Sequence, residues 1–336
     1  MGFRVNLESL NKAFSELRKE YRIYAPTVIE GDGRFSDTNM VRYGEVSTVE
    51  EIEFEKKAQF SYKEVLLPIR QTLFFFTEKE CKEPDVDEKK ILIFLRSCDM
   101  HSLIRIDDIY LRNGFVDPYY KKLRDKAKFV LIGCEKSFES CFCVDMGTNK
   151  SDNYDAYLKV VGNEALMDVK DEELLKVFSD MDKKEENVTP DFVTETETRV
   201  NIPENLDLRI TKSEMWDEYN DRCIACGRCN FVCPTCTCFT MQDIFYKDNA
   251  KNGERRRVWA SCHVDGYTDM AGGHSFRNSK GERMRFKVMH KVYDYKKRWG
   301  YNMCVGCGRC DDICPEYISF SSTINKLEKA MEEVSK

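Results

Sequence analysis

Two cysteine runs of identical spacing constrain this chain more than any other feature. Cys223-Ile-Ala-Cys226-Gly-Arg-Cys229-Asn-Phe-Val-Cys233-Pro234 reads C-x2-C-x2-C-x3-C-P, and Cys304-Val-Gly-Cys307-Gly-Arg-Cys310-Asp-Asp-Ile-Cys314-Pro315 repeats it position for position. Three thiols two residues apart let one loop wrap three irons of a cubane, with backbone N–H groups free to point at sulfur. Gly227 and Gly308 relieve crowding where the chain approaches a cluster, and Pro234 and Pro315 turn it away. Zinc sites pair C-x2-C knuckles and lack the third cysteine and the trailing C-P. The runs predict two [4Fe–4S] clusters. In two-cluster ferredoxins the fourth cysteine of each run serves the other cluster. One set is then Cys223, Cys226, Cys229 and Cys314, and the other is Cys304, Cys307, Cys310 and Cys233.

Residues 235–303 separate the runs, far more than a compact bacterial ferredoxin inserts, and their charge patterning reads as helical. The fold class expected is therefore α+β, an N-terminal α/β domain followed by an α-helical ferredoxin-like two-cluster domain. The domains are placed at 1–200 and 201–336. A chain of 336 residues has room for both, since single cores stop growing near ~250 residues. The acidic stretch 181–207, with Pro190 and Pro203, reads as the linker.

In the first domain, Leu7, Leu10, Phe14, Leu17 and Tyr21 mark a helix over 6–24. ILIFL at 91–95 and FVLIG at 129–133 read as buried strands, parallel and joined by a helical crossover. YLKVV-GN-EALMDV reads as a hairpin, a helix follows near 171–180, and an amphipathic helix closes the chain at 320–336. Cys98 and Cys134 each follow one of the two buried strands, so both belong to one sheet edge, where α/β folds place ligands. With Cys141 and Cys143 returning beside them, a third [4Fe–4S] cluster is expected on these four. The bland reading is that they are small buried hydrophobes.

Sixteen cysteines with no apolar leader segment point to metal ligation rather than disulfides, and hence to the cytoplasm. No apolar run approaches the ~20 residues of a membrane span. The net charge is −6, yet residues 251–299 hold thirteen Lys or Arg against five Asp or Glu. That basic segment reads as a solvated helix face, as charge compensation for thiolate clusters, or as a surface for an acidic partner; nucleic-acid binding is not expected. Cys236, Cys238 and Cys262 read as packing beside a cluster, with alternative ligation as the other reading. Cys81 reads as a loop thiol. His101, His263, His274 and His290 read as structural, with His274 and Arg277 set apart as possible cluster or docking contacts.

RSCDMHSL, DPYY, GCEKSFESCFCVDMGTN, CPTCTCF and AGGHSFR, together with the paired runs, resemble the family of anaerobic sulfite reductase A subunits and sulfhydrogenase β subunits. The resemblance covers nearly the whole chain, and KEVLLPIRQTLFFF leans toward the sulfite reductase branch. It implies an electron-transfer subunit between a flavin subunit that oxidises NADH and a sirohaem subunit that reduces sulfite to sulfide. The alternative is the corresponding iron–sulfur subunit of a cytoplasmic sulfhydrogenase. No nucleotide fingerprint appears here, so no catalytic residues and no cofactor site beyond the clusters are expected on this chain.

Overall fold

The computed structural model describes residues 1–335 apart from 36, 86, 180 and 248. Twelve strands occur among the described residues: β1 (Gly2–Asn6), β2 (Tyr21–Ile29), β3 (Met40–Glu45), β4 (Arg70–Phe76), β5 (Cys81–Lys82), β6 (Lys90–Leu95), β7 (Ala127–Ile132), β8 (Ala156–Val161), β9 (Glu164–Val169), β10 (Lys183–Glu185), β11 (Phe239–Tyr246) and β12 (Asn249–Trp259). The chain divides into two compact units. The first comprises Met1–Pro68, Asp85–Phe138 and Thr148–Glu195; the second comprises Ile69–Pro84, Glu139–Gly147 and Thr196–Lys336. Two stretches from within the first 200 residues thus fold with the C-terminal unit, something no single cut along the sequence expresses.

The first unit is built on an eight-stranded sheet ordered β10-β1-β9-β8-β7-β6-β2-β3. The pairs β2–β6, β6–β7 and β7–β8 are parallel, and antiparallel strands flank them. β6 and β7 read as unbroken apolar runs because both faces are covered. Leu92, Phe94, Val130 and Ile132 pack on one side with Leu10, Phe14 and Leu17 of helix Leu7–Glu20. Ile91, Ile93, Leu95, Phe129 and Leu131 pack on the other with Met100, Leu103 and Ile106 of helix Ser97–Leu111. This double coverage is the α/β signature.

Helix Leu7–Glu20 begins where the Asn6 side chain accepts from the Ser9 N–H at 2.7 Å. It ends before Tyr21, which the period assigned to the helix but which opens β2. The β-favouring run Tyr21–Ile29 pairs with β6 and overrides the helical period. The β8–β9 hairpin forms as expected, with Val161 opposite Glu164. Within the expected linker, Lys183–Glu185 instead pairs with β1 and extends the sheet.

The second unit has an apolar core of Trp216, Tyr219, Met284, Val288, Phe320, Ile324 and Leu327, with Phe142 and Met146 contributed by 139–147. Helices Lys280–Met289 and Phe320–Ser335 supply half of it. The insertion between the cysteine runs corrects a sequence expectation. Its first half is not helical: β11 and β12 form a long hairpin continued by β4 and β5 in a four-stranded sheet. Arg255, Arg256 and Arg257 lie on this strand rather than on a helix face. Charge spacing alone does not separate the two, because an arginine tract has no apolar period to read.

Candidate metal centres

Both cysteine runs fold by the same local device. In each, a glycine in the left-handed region precedes a short helix: Gly227 (φ 76°) before Arg228–Phe231, and Gly308 (φ 68°) before Arg309–Ile313. A β-carbon on Gly227 would stand 2.8 Å from Ser261 Cβ, and one on Gly308 would stand 2.3 Å from the Ser140 carbonyl oxygen. Two residues earlier, Gly306 (φ 64°) is matched in the first run by Ala225 (φ 58°), a conformation L-residues seldom adopt. These turns aim amide groups at sulfur. Ala225 N–H donates to Cys223 Sγ at 3.4 Å, Gly306 N–H to Cys304 Sγ at 3.5 Å, and Ile318 N–H to Cys314 Sγ at 3.3 Å.

Each cavity gathers the first three cysteines of one run and the fourth cysteine of the other. One cavity is lined by Cys223, Cys226, Cys229 and Cys314, with His263, Lys287 and Phe320. A second is lined by Cys233, Cys304, Cys307 and Cys310, with Phe142, Lys287 and Lys291. Cys310, Lys287 and Phe320 line both, so the cavities are neighbours.

A [4Fe–4S] cluster fits each cavity on donor chemistry and on electrostatics. The first cavity is lined by five cysteines and the second by four, enough for the four sulfur ligands that such a cluster takes. Burial pushes the Cys304 thiol up to about 12 and raises the Cys310 thiol, so neither ionises easily without a cationic partner. Lys287 and Lys291 are buried beside them. Desolvation opposes their charge, but Cys229, Cys310 and Cys236 around Lys287, and Cys233, Cys236 and Cys304 around Lys291, raise both above an ordinary lysine. Lys291 Nζ also donates to Thr235 Oγ1 at 2.7 Å. His263, 1% exposed, lines the first cavity with both ring nitrogens lacking a hydrogen-bond partner. Burial first, then Lys287 and Arg283, depress it to about 3, so it sits there as neutral imidazole.

The two lysines were missed in the sequence, although their i,i+4 spacing was a usable signal. They straddle the point where helix Lys280–Met289 widens into the π-helical turn His290–Asp294, the kind of irregularity found at functional sites. His274 and Arg277 line neither cavity: His274 meets Phe276 edge-on, and the Arg277 guanidinium lies 3.5 Å over the Phe286 ring.

Of the third cysteine set, Cys98 and Cys134 belong to the first unit and Cys141 and Cys143 to the second. Cys98 is the second residue of helix Ser97–Leu111, directly after β6, and Cys134 lies in the loop after β7. Arg96, itself buried, donates to Cys134 Sγ at 3.4 Å and lies 4.9 Å over the Phe138 ring. An open cavity of about 1030 Å³ at these strand ends is lined by Arg96, Cys134, Lys159 and Asp191, with Glu50–Glu55 along its rim. Cys141 and Cys143 are buried against the second run, where Cys141 Sγ donates to the Cys307 carbonyl at 3.6 Å.

Cys238 and Cys262 flank the base of the β11–β12 hairpin, and their thiols are hydrogen-bonded to each other. Cys236 bonds to Cys233. Cys81 lies exposed in the short strand β5.

The twin sulfur-lined cavities define a protein class. Residues 222–318 match the family described as 4Fe-4S dicluster domain, which implies two [4Fe–4S] clusters, and the chain is a 4Fe-4S dicluster domain protein. Over 348 aligned residues it is 29% identical to "Sulfhydrogenase 2 subunit beta" of Pyrococcus furiosus, covering 98% of each chain. It is therefore an iron–sulfur electron-transfer protein distantly related to that β subunit. No solved structure gives a significant match. Among the described residues no helix is long and apolar enough to cross a membrane.

Proposed function

We propose that this chain is the iron–sulfur subunit of a cytoplasmic hydrogenase-type complex, relaying electrons between a flavin subunit and a nickel-containing catalytic subunit. Its clusters are held by Cys223, Cys226, Cys229 and Cys314, and by Cys304, Cys307, Cys310 and Cys233. The observation that carries the reading is the pair of adjacent cysteine-lined cavities, both bordered by Cys310 and Lys287. Neighbouring clusters suit transfer in series. The choice of complex rests on the full-length similarity to a sulfhydrogenase β subunit, which favours this reading over the sulfite reductase branch that the sequence motifs had put first.

Anaerobic co-purification tests it. A nickel-bearing partner supports the hydrogenase reading, whereas a partner with sirohaem absorption replaces it with sulfite reductase. Iron analysis of the same material decides the number of clusters. About twelve irons per chain supports a third cluster on Cys98, Cys134, Cys141 and Cys143, while about eight removes it. Cys226→Ser and Cys307→Ser should each abolish electron flow from the flavin subunit while leaving activity with a donor that acts directly on the catalytic subunit. Loss of both activities would overturn a pure relay role.

A further inference from the structure

Outside the two ligand sets, the second unit holds one more pair of thiols placed for chemistry. The antiparallel register sets Phe239 opposite Trp259, and the Ala260 N–H bonds the Cys238 carbonyl at 2.9 Å. The two strands thus converge on Cys238 and Cys262, whose thiols are hydrogen-bonded. Cys262 is 5% exposed, while Cys238 is half-buried. The Cys262 bond, opposed by burial and aided by Tyr267, lowers the Cys238 thiol below its ordinary value. A half-buried thiol whose ionised form is favoured, backed by a buried one, is the arrangement of thiol–disulfide exchange.

The pair is also wired inward. Asn230, buried, donates from Nδ2 to Cys262 Sγ at 3.0 Å, and its Oδ1 lies 3.8 Å from Cys229 Sγ. One carboxamide thus bridges a ligand of the first cavity and the inner thiol. Asn230 is held in place by a second bond to Ser261 Oγ at 3.0 Å.

We propose that Cys238 and Cys262 form a redox-active dithiol that takes electrons from the cluster side through Asn230 and reduces the sulfur–sulfur bond of a small disulfide. The Cys238 thiolate attacks R–S–S–R, forming Cys238–S–S–R and releasing RS⁻. Cys262 then loses its proton and attacks Cys238 Sγ, releasing the second RS⁻ and closing the Cys238–Cys262 disulfide. Reopening that bond takes two electrons, delivered singly from the cluster side, and two protons from solvent. The inference rests on the cluster reading above.

The test uses the full chain, iron-loaded and handled anaerobically, mixed with excess cystamine, acid-quenched, alkylated and digested. The expected product is a peptide pair linked through Cys238 and Cys262, absent after dithionite reduction. Cys262→Ser should trap cysteamine on Cys238, and Cys238→Ser should show neither linkage nor adduct; both variants should keep the parent's iron content. Separate alkylation of Cys238 and Cys262 after cystamine, in protein with its iron intact, overturns the proposal. So does loss of iron in Cys238→Ser, which would make Cys238 a cluster ligand. Failure of the cluster reading shows differently, as a parent chain that never takes up iron.

Discussion

Phe142 donates its backbone N–H to the Gly306 carbonyl at 2.8 Å, and Gly306 leaves no room for a side chain there. A β-carbon would stand 2.6 Å from the Phe142 carbonyl carbon and 2.7 Å from the Cys143 nitrogen. The obstructing atoms are backbone, so they cannot rotate aside. Gly306→Ala combines this clash with a left-handed φ, and the expected cost is roughly 2 kcal/mol or more in chemical denaturation. Gly300, with φ 84° and open space around it, is the control, and Gly300→Ala should cost only about 1 kcal/mol. Equal costs at the two positions would show that the 140–143 contact does not brace the second run.

Lys287 places a buried positive charge between the two cavities. Positive charge favours the reduced, more negative cluster. Lys287→Met is expected to shift the cluster midpoint potentials negative by on the order of 100 mV. A redox titration followed by electron paramagnetic resonance reads it. Unchanged potentials, or a positive shift, would remove Lys287 from the electrostatics of the clusters.

The capping box at helix Lys280–Met289 supports the same lysine from a distance. Ser279 Oγ accepts from the Glu282 N–H at 3.1 Å, and the Glu282 carboxylate accepts from the Ser279 N–H at 3.0 Å. Ser279→Ala should lower stability by about 1 kcal/mol. Trp216, Trp259 and Trp299 all lie in the second unit, so tryptophan fluorescence during denaturation reports on this unit. A midpoint unchanged in Ser279→Ala would mean that the cap is idle.

In the first unit, Glu173 bridges Lys128, at 2.8 Å, and Lys90. Those two lysines hold its carboxyl down at about 2, against 4.5 when unpartnered. A depressed carboxylate stabilises the fold above its unfolded value, and that contribution disappears as pH falls from about 4.5 toward 2. Wild type should therefore exceed Glu173→Gln in thermal midpoint at neutral pH, with the two curves converging on acidification. The side chain is 38% exposed, so solvent screening keeps the difference under about 1 kcal/mol. Circular dichroism melts across the pH range check it, and a constant offset would refute the linkage.

The sequence by itself determined everything that depends on local spacing or on burial of a short segment. C-x2-C-x2-C-x3-C-P is read directly because cluster wrapping is a local act of the chain. The strands at 91–95 and 129–133 are legible because a strand covered on both faces must be apolar at every position. Tertiary structure decided what local pattern cannot carry. The placing of Cys233 and Cys314 with the opposite runs is expected only by transfer from two-cluster ferredoxins, because it depends on how two distant loops meet. Lys287 and Lys291 look like surface residues until a packed core closes over them. Strand β12 has too few apolar residues to announce its period, and pairing with β11 and with β4 from a remote stretch makes it part of a sheet. The β11–β12 register brings Cys262 to Cys238. Spacing names the atoms that can bind iron, and only folding sets which distant sulfurs, amides and lysines surround each cavity.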